Sequence, residues 1–113
     1  MIDKLKKVKT IDQFEYTDLL AHYVTQDGRN YLSFWADFDK HICVYLVFAV
    51  DEIYPNLSRT DIWANIRDTV LSSPDIWICT GAEGKNVSKM KSIKVAVKDI
   101  PDGYLPGKSK EYE

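Results

Sequence analysis

The sequence predicts an α+β fold in which an antiparallel sheet of about five or six strands carries one main helix on one face. Three observations support this class: short stretches rich in β-branched and aromatic residues, turn signals between those stretches, and one stretch with helical periodicity. A chain of 113 residues is long enough for one domain with one core. Short links between the strands favour antiparallel order over the βαβ pattern, which needs a helix between most strands.

The first part of the chain predicts strands, and the signal for a strand becomes stronger from residue 1 to residue 24. Residues 1–9 alternate Lys with apolar residues, which is typical of either a basic N-terminal arm or an edge strand whose lysines discourage further pairing. Residues 10–18 predict a weak strand, and residues 19–24 (LLAHYV) predict a stronger one. Asp27-Gly28 follows and predicts a hairpin, because Gly readily supplies the positive φ of a tight turn.

The strand after this hairpin has two different faces. One face is apolar throughout and is predicted to point to the core; it contains Leu32, Phe34, Ala36 and Phe38. The other combines aromatic and polar side chains and is predicted to be partly exposed; it contains Tyr31, Ser33, Trp35 and Asp37. A turn at residues 39–41 leads to residues 42–50, which are apolar throughout. That run predicts a central strand with both faces covered, or a strand at a subunit contact.

One helix is predicted after the central strand. Ser58 is its predicted N-cap, with Asp61 as the reciprocal acid. The helix should end before Pro74, which disfavours helical geometry at the preceding residue. The predicted buried stripe consists of Ile62, Ile66 and Val70.

Two strands and a tail are predicted after the helix. Residues 75–80 (DIWICT) predict a short strand, and residues 87–98 predict the last one. The side chains predicted to point inward from the last strand are Ile93, Val95 and Val97. Residues from about 107 to 113 predict a flexible tail.

Charge and composition narrow the class of protein. The net charge is −2, but residues 10–80 carry four basic groups against eleven acidic ones, a balance of −7, whereas both ends are rich in Lys. No apolar run approaches the roughly 18–20 residues of a membrane span, and the N-terminus lacks the apolar segment of a secretory signal. We therefore expect a cytoplasmic protein without a membrane partner. Cys43 and Cys79 lie in apolar runs and are predicted to be free buried thiols.

Four segments follow one another in a characteristic order: FEYTDLLAHYV, NYLSFWADFD, VYLVFAVDE and IPDGYLPG. This order resembles a family of small bacterial and phage-borne domains of unknown function, in which a Tyr-rich strand, an aromatic strand ending in acidic residues and a late proline-flanked Tyr-Leu recur. The likeness covers most of residues 11–106, and the chain departs from the pattern at Pro55 and Trp63. Because that family has no settled activity, the resemblance implies the fold and provides no functional residues.

The preferred functional hypothesis is a non-enzymatic protein-binding module, such as a bacterial or phage inhibitor, adaptor or immunity-type accessory protein, including one that counters a host defence. Tyr and Trp are enriched at binding hot spots. The predicted binding face consists of Tyr31, Ser33, Trp35 and Asp37. Trp63 is a further candidate for an exposed aromatic patch, and Trp77 is predicted in the core. The same face could also form a homodimer.

Two other classes of function stay open. A nucleic-acid or nucleotide-binding module would use a basic face formed by Lys89, Lys91, Lys94 and Lys98. A small metal-dependent enzyme would use Asp37, Asp39 and His41, although such residues are also typical of a solvated turn. The sequence has neither a P-loop nor a Ser–His arrangement. The preferred hypothesis therefore includes no catalytic residue, no metal and no cofactor.

Overall fold

The chain folds as consecutive hairpins, with a single α-helix inserted late. The structure, a computed structural model, describes residues 2–106, with the backbone alone at residue 3, so the predicted tail at residues 107–113 lies outside the described residues. The strands and the helix are β1 (Lys6–Phe14), β2 (Thr17–Val24), β3 (Asn30–Asp39), β4 (Ile42–Val50), α1 (Arg59–Ser72), β5 (Ile76–Ala82) and β6 (Lys91–Val95). Short 3-10 turns lie at Ile2–Lys4, Tyr54–Asn56, Val87–Lys89, Val97–Asp99 and Asp102–Tyr104.

The six strands form one antiparallel sheet in the order β1-β2-β3-β4-β5-β6, so each strand pairs with its neighbours in sequence. The predicted α+β class, an antiparallel sheet with one main helix, is confirmed. β4 is an interior strand between β3 and β5, as its apolar sequence predicts. The predicted hairpin joins β2 to β3, and Gly28 in its turn has a φ of 90°.

Helix α1 covers one side of the sheet, which we call the helix face. Ser58 caps it as predicted: its hydroxyl oxygen accepts the Asp61 N–H at 3.1 Å, and its hydroxyl donates to the Asp61 carboxylate at 2.8 Å. The core on this face consists of Leu20, Leu32, Phe34, Leu46, Phe48, Ile62, Ile66, Val70, Ile76 and Ile100. Burial of each large apolar side chain stabilises the fold by roughly 1.5–3 kcal/mol. The predicted helical stripe therefore attaches α1 to the sheet.

The opposite side of the sheet, which we call the tyrosine face, is closed by short segments rather than by a helix. Its core consists of Ile2, Leu5, Ala21, Tyr23, Tyr31, Cys43, Tyr45, Val47, Cys79, Val87 and Met90. The Ile2–Lys4 and Val87–Lys89 turns contact each other there. Cys43 and Cys79 are free and buried, as predicted. Burial raises the pKa of Cys79 to about 12, so this thiol stays protonated at neutral pH.

A β-bulge changes the faces of β3 partway along the strand. The register between β3 and β4 shifts between Trp35 and Asp37, so Ala36 has no counterpart on β4. The simple alternation predicted for this strand is wrong beyond Trp35, because the extra residue reverses the faces. Phe38 was predicted to point to the core, yet it is 42% exposed and its ring centroid lies 5.9 Å from that of Trp35.

The two edge strands also differ from the prediction. β1 is one edge strand, the alternative predicted for residues 1–9, but it runs from Lys6 to Phe14 and so also includes the first part of the segment predicted at 10–18. The last residues of that segment, Thr17 and Asp18, begin β2. The last strand is shorter than predicted, since β6 covers only Lys91–Val95 and is followed by a 3-10 turn. Ile93 was predicted to point inward, but it is 58% exposed because β6 is the other edge of the sheet.

Candidate protein-binding cleft

Two neighbouring hairpins of the sheet separate at one end, which we call the cleft end. β2 and β3 pair from Val24 as far as Leu20, and their described pairing stops there. β2 continues to pair with β1 as far as Thr17, and β3 continues to pair with β4 as far as Asp39. The β1–β2 hairpin and the β3–β4 hairpin therefore diverge, and a cleft lies between them.

β-Bulges provide the physical reason for this divergence. β3 has its bulge at Ala36, and the register of β1 with β2 shifts between Thr10 and Asp12 and again between Asp12 and Gln13. A bulge bends its strand and increases the local twist. Because both hairpins contain bulges near the same end, their strands bend there and the β2–β3 ladder cannot continue.

Mostly apolar side chains line the cleft, which has a volume of about 370 Å³. The lining residues are Phe14, Leu19, Trp35, Ala36, Asp37, Phe38 and Trp63. Phe14 is 52% exposed and Phe38 is 42% exposed, although Phe is among the residues most often buried. Adjoining exposed apolar side chains of this kind mark interaction sites. The cleft is therefore the candidate functional site of this chain.

Trp63 is the wall that α1 contributes to the cleft. Its indole N–H donates to the Asp12 carboxylate at 2.8 Å, and its ring meets that of Phe34 edge-on at a centroid distance of 5.9 Å. The guanidinium of Arg59 lies 3.5 Å from the same carboxylate. These contacts connect α1 to the edge strand β1 and restrict the position of the Trp63 ring. A wall that is already ordered loses little entropy when a ligand binds.

Acidic groups outnumber basic groups in and beside the cleft. Asp37 lines it, and Asp12 contacts its Trp63 wall. The charged residues at this site and in the adjoining turns are Asp12, Glu15, Asp37, Asp39, Lys40 and Arg59. Four acidic groups against two basic ones give a local balance of −2. We call these six charged residues, with their net charge of −2, the acidic rim of the cleft. An apolar cleft with an acidic rim favours a basic partner.

The turns at the cleft end have an unusual backbone conformation. Glu15, Lys40 and His41 have φ values of 54°, 48° and 69°, and within residues 2–106 no other non-glycine residue has a positive φ. Such conformations cost roughly 1–3 kcal/mol each and cluster at binding and active sites. His41 Nδ1 lies 3.2 Å from the Glu83 carboxylate, which connects the β3–β4 turn to the loop after β5.

The structure divides the predicted binding face. Tyr31 and Ser33 are buried on the tyrosine face, where the Tyr31 hydroxyl donates to the Asp75 carboxylate. Their predicted exposure is wrong, because segments distant in sequence cover that face. Trp35 is half-buried and Asp37 is exposed, and both line the cleft.

Sequence reasoning missed part of the cleft. Trp63 was a candidate for an exposed aromatic patch, and the structure places it in the cleft with Trp35. Phe14 and Leu19 were not singled out, and Phe38 was assigned to the core. No local pattern identifies these three residues, because their grouping depends on the bulges and on where the β2–β3 ladder stops.

The predicted basic face does not form on one strand. Lys89 and Lys98 lie in 3-10 turns, and only Lys91 and Lys94 lie on β6. Those two are an odd number of residues apart, so they point to opposite faces of the strand. Lys94 Nζ lies 3.2 Å from the Asp75 carboxylate.

The predicted acidic–histidine cluster lies at the cleft end. Asp37 and Asp39 are on β3, and His41 is in the turn that follows. Among the side chains of residues 2–106 that the structure describes, no group of three or more His, Cys, Asp or Glu could hold a metal ion.

The fold and the cleft together define a small α+β protein with a candidate docking site. Comparisons of this chain with protein-family models, with curated proteins and with solved structures find no match. Within the described part of the chain, no helix combines the length and the apolar composition that crossing a membrane requires.

Proposed function

We propose that this chain is a non-enzymatic protein-binding module and that the cleft binds a segment of a partner protein. One observation carries the proposal: an open, largely apolar cleft with an acidic rim lies between two diverging hairpins. The segment that fits it has an aromatic or branched aliphatic side chain, which enters the cleft, and Lys or Arg residues on either side. Anchors of this kind supply most of the affinity of many interfaces, whereas the charges increase the association rate.

The edges of the sheet are poorer docking sites than the cleft. β1 contains three register shifts and exposes Lys6 and Lys9, and β6 has only five residues, including Lys91 and Lys94. Bulges, short edge strands and lysines all discourage the addition of another strand. A partner that pairs with the sheet edge is therefore disfavoured, which leaves the cleft as the supported surface.

A different protein is favoured over a second copy as the occupant. A symmetric dimer through the cleft would bring two acidic rims together, and like charges across an interface oppose association. An unsymmetric contact between the cleft and the Lys-rich edge of another copy would not be opposed in this way. Sedimentation distinguishes the two cases, since self-association through the cleft increases the mass with concentration and is abolished by Phe38→Ala.

An accessory role is the biological context that we propose. A small module without a catalytic constellation suits an inhibitor, an adaptor or an immunity-type protein of bacterial or phage origin. The two free thiols, Cys43 and Cys79, suit the reducing environment of a cytoplasm.

Selection from a display library of random peptides tests the proposed occupant. We expect the selected peptides to share an aromatic or branched aliphatic residue with flanking Lys or Arg. Phe38→Ala should weaken their binding about tenfold or more, because it removes a wall of the cleft. Raising NaCl from about 0.05 M to about 0.5 M should slow association, since it screens the acidic rim.

Ile93→Ala is the matched control, because Ile93 is also an exposed apolar residue but lies on β6, away from the cleft. It should leave peptide affinity unchanged. Equal losses for the two variants, or selected peptides with no common anchor, would contradict the proposal. Circular dichroism of each variant should match that of the parent chain, which separates a loss of binding from a loss of folding.

A further inference from the structure

A second, polar cavity lies on the tyrosine face, between the β1–β2 hairpin and the loop that follows β5. Its volume is about 130 Å³, enough for several water molecules. The lining residues that matter here are Lys7, Asp18, Tyr23, Tyr45, Lys85 and Asn86. This cavity is separate from the cleft, with which it shares no lining residue.

The charges of the cavity leave one cation without an internal partner. Both carboxylate oxygens of Asp18 are engaged: one lies 2.5 Å from Lys7 Nζ, and the other accepts the Thr10 hydroxyl at 2.9 Å. Among the side chains that the structure describes, those of residues 2 and 4–106, the Lys85 ammonium is in no ion pair. Two lysines against one aspartate give the cavity a balance of +1. A positive cavity with a neutralised carboxylate favours an anion over a cation.

The lining also contains hydrogen-bond donors, on the side chains of Tyr23 and Asn86. Tyr23 is only 2% exposed, and the Val87 N–H hydrogen-bonds to its hydroxyl oxygen. Burial raises the pKa of Tyr23 to about 12, so its hydroxyl keeps its proton at neutral pH and can donate it. The side-chain oxygen of Asn86 accepts from the N–H and hydroxyl of Ser88 at 3.4 and 3.2 Å, which leaves the amide NH₂ as a donor.

The buried tyrosines make this a formed cavity rather than a surface cluster of lysines. The Tyr45 hydroxyl donates to the Asp18 carbonyl at 3.0 Å, so it joins β4 to the β1–β2 hairpin beneath β3. Tyr23 and Tyr45 are both buried in the core of the tyrosine face. Their side chains therefore hold the floor of the cavity in place before any ligand binds.

We propose that this cavity binds a small oxyanion, either free phosphate or the phosphate group of an organic molecule. Lys85 supplies the charge, and the Tyr23 hydroxyl and the Asn86 amide donate hydrogen bonds to the anion. Charge-assisted hydrogen bonds to oxyanions are among the stronger ones in proteins. The ligand is held by this chain's own side chains and requires no metal.

Titration of the ¹⁵N-labelled chain with inorganic phosphate tests the site, with NaCl at matched ionic strength as the reference. We expect saturable shifts of the amide signals of residues 84–87. Lys85→Gln should weaken binding about tenfold, because it removes the unpaired cation. Tyr23→Phe should weaken it severalfold while keeping the ring. A second titration, with phenyl phosphate, distinguishes the two kinds of ligand. If phenyl phosphate binds more tightly than inorganic phosphate, the site is assigned to organic phosphates; if the two bind equally, it is assigned to the free ion.

Lys91→Gln is the control, since it removes the same charge from β6 and should leave phosphate affinity unchanged. Two results would overturn the site: shifts no larger with phosphate than with chloride, or an equal loss of affinity in Lys85→Gln and Lys91→Gln. Lys85 is exposed on a loop, so its substitution tests the site even where Tyr23→Phe impairs folding.

Discussion

The turns that join the first four strands use different residues at the two ends of the sheet. At the end opposite the cleft, which we call the glycine-turn end, the β2–β3 turn uses Gly28 at a φ of 90°. At the cleft end, the β1–β2 and β3–β4 turns instead place Glu15, Lys40 and His41 at positive φ. Glycine adopts this region at no steric cost, whereas other residues are strained there.

The two ends also differ in the hydrogen bonds between β2 and β3 and in their turn. At the glycine-turn end, the buried Thr25 hydroxyl donates to the Asp27 carboxylate and accepts the Arg29 N–H at 2.9 Å, and the Thr25 N–H donates to the Arg29 carbonyl at 2.9 Å. At the cleft end the β2–β3 ladder stops and aromatic rings are exposed. The glycine-turn end therefore has the features of a stability element, and the cleft end has those of a binding site.

The contrast suggests that stability and recognition are separated along the strands. Strain and exposed apolar surface lower stability, so they are tolerated where they serve binding and where other contacts compensate for them. The core clusters on both faces of the sheet provide that compensation. Substitutions at the two ends should then have opposite effects on the free energy of unfolding.

The largest expected change in stability is at the glycine-turn end. Gly28→Ala should lower the free energy of unfolding by about 1–2 kcal/mol, because an alanine at this φ is strained even though its Cβ would meet no neighbouring atom. Urea denaturation measures the change. Gly103→Ala is the control: Gly103 has no positive φ and open space around it, so its substitution should change stability by less than about 0.5 kcal/mol. Equal effects at both glycines would contradict the assigned turn geometry.

A smaller effect of opposite sign is expected at the cleft end. The double substitution Lys40→Asn/His41→Gly should raise the free energy of unfolding by about 1 kcal/mol, because Asn-Gly is the preferred pair for a two-residue turn with positive φ at both positions. The substitution removes the contact of His41 with Glu83, which is exposed and contributes little, and the edge-on contact of the His41 ring with Phe38 at a centroid distance of 6.3 Å. Urea denaturation again provides the measurement. A variant less stable than the parent chain would show that these two side chains stabilise the turn.

The smallest expected effect concerns pH at the glycine-turn end. The hydrogen bond from Thr25 lowers the pKa of Asp27 below its ordinary value, so the folded state favours the ionised carboxylate. This contribution to stability is present above the unfolded pKa of about 3.9 and is lost as the pH falls through the lower, folded value. The stability of the parent chain should therefore fall more than that of Asp27→Asn between about pH 6 and pH 3. Parallel curves for the two proteins would argue against this linkage.

The sequence by itself determined the features that depend on neighbouring residues. Asp27-Gly28 specified the β2–β3 turn, because the required φ is a property of the glycine itself. Ser58 specified the start of α1 through a hydrogen bond with Asp61, only three residues further along the chain. The apolar run of β4 specified an interior strand. These signals are local, so they can be read without knowing what packs against them.

Only the tertiary structure decided which surfaces are covered and where the sheet opens. Tyr31 and Ser33 are buried on the face that the Ile2–Lys4 and Val87–Lys89 turns close, and these segments are remote in sequence. The bulge at Ala36 is defined by the register with β4, and it is what turns Phe38 outward. The alternation of β3 therefore indicated that the strand has two different faces. It could not show which face other segments bury, or that the bulge at Ala36 reverses the two faces. Both depend on long-range pairing, and the position of the cleft follows from them.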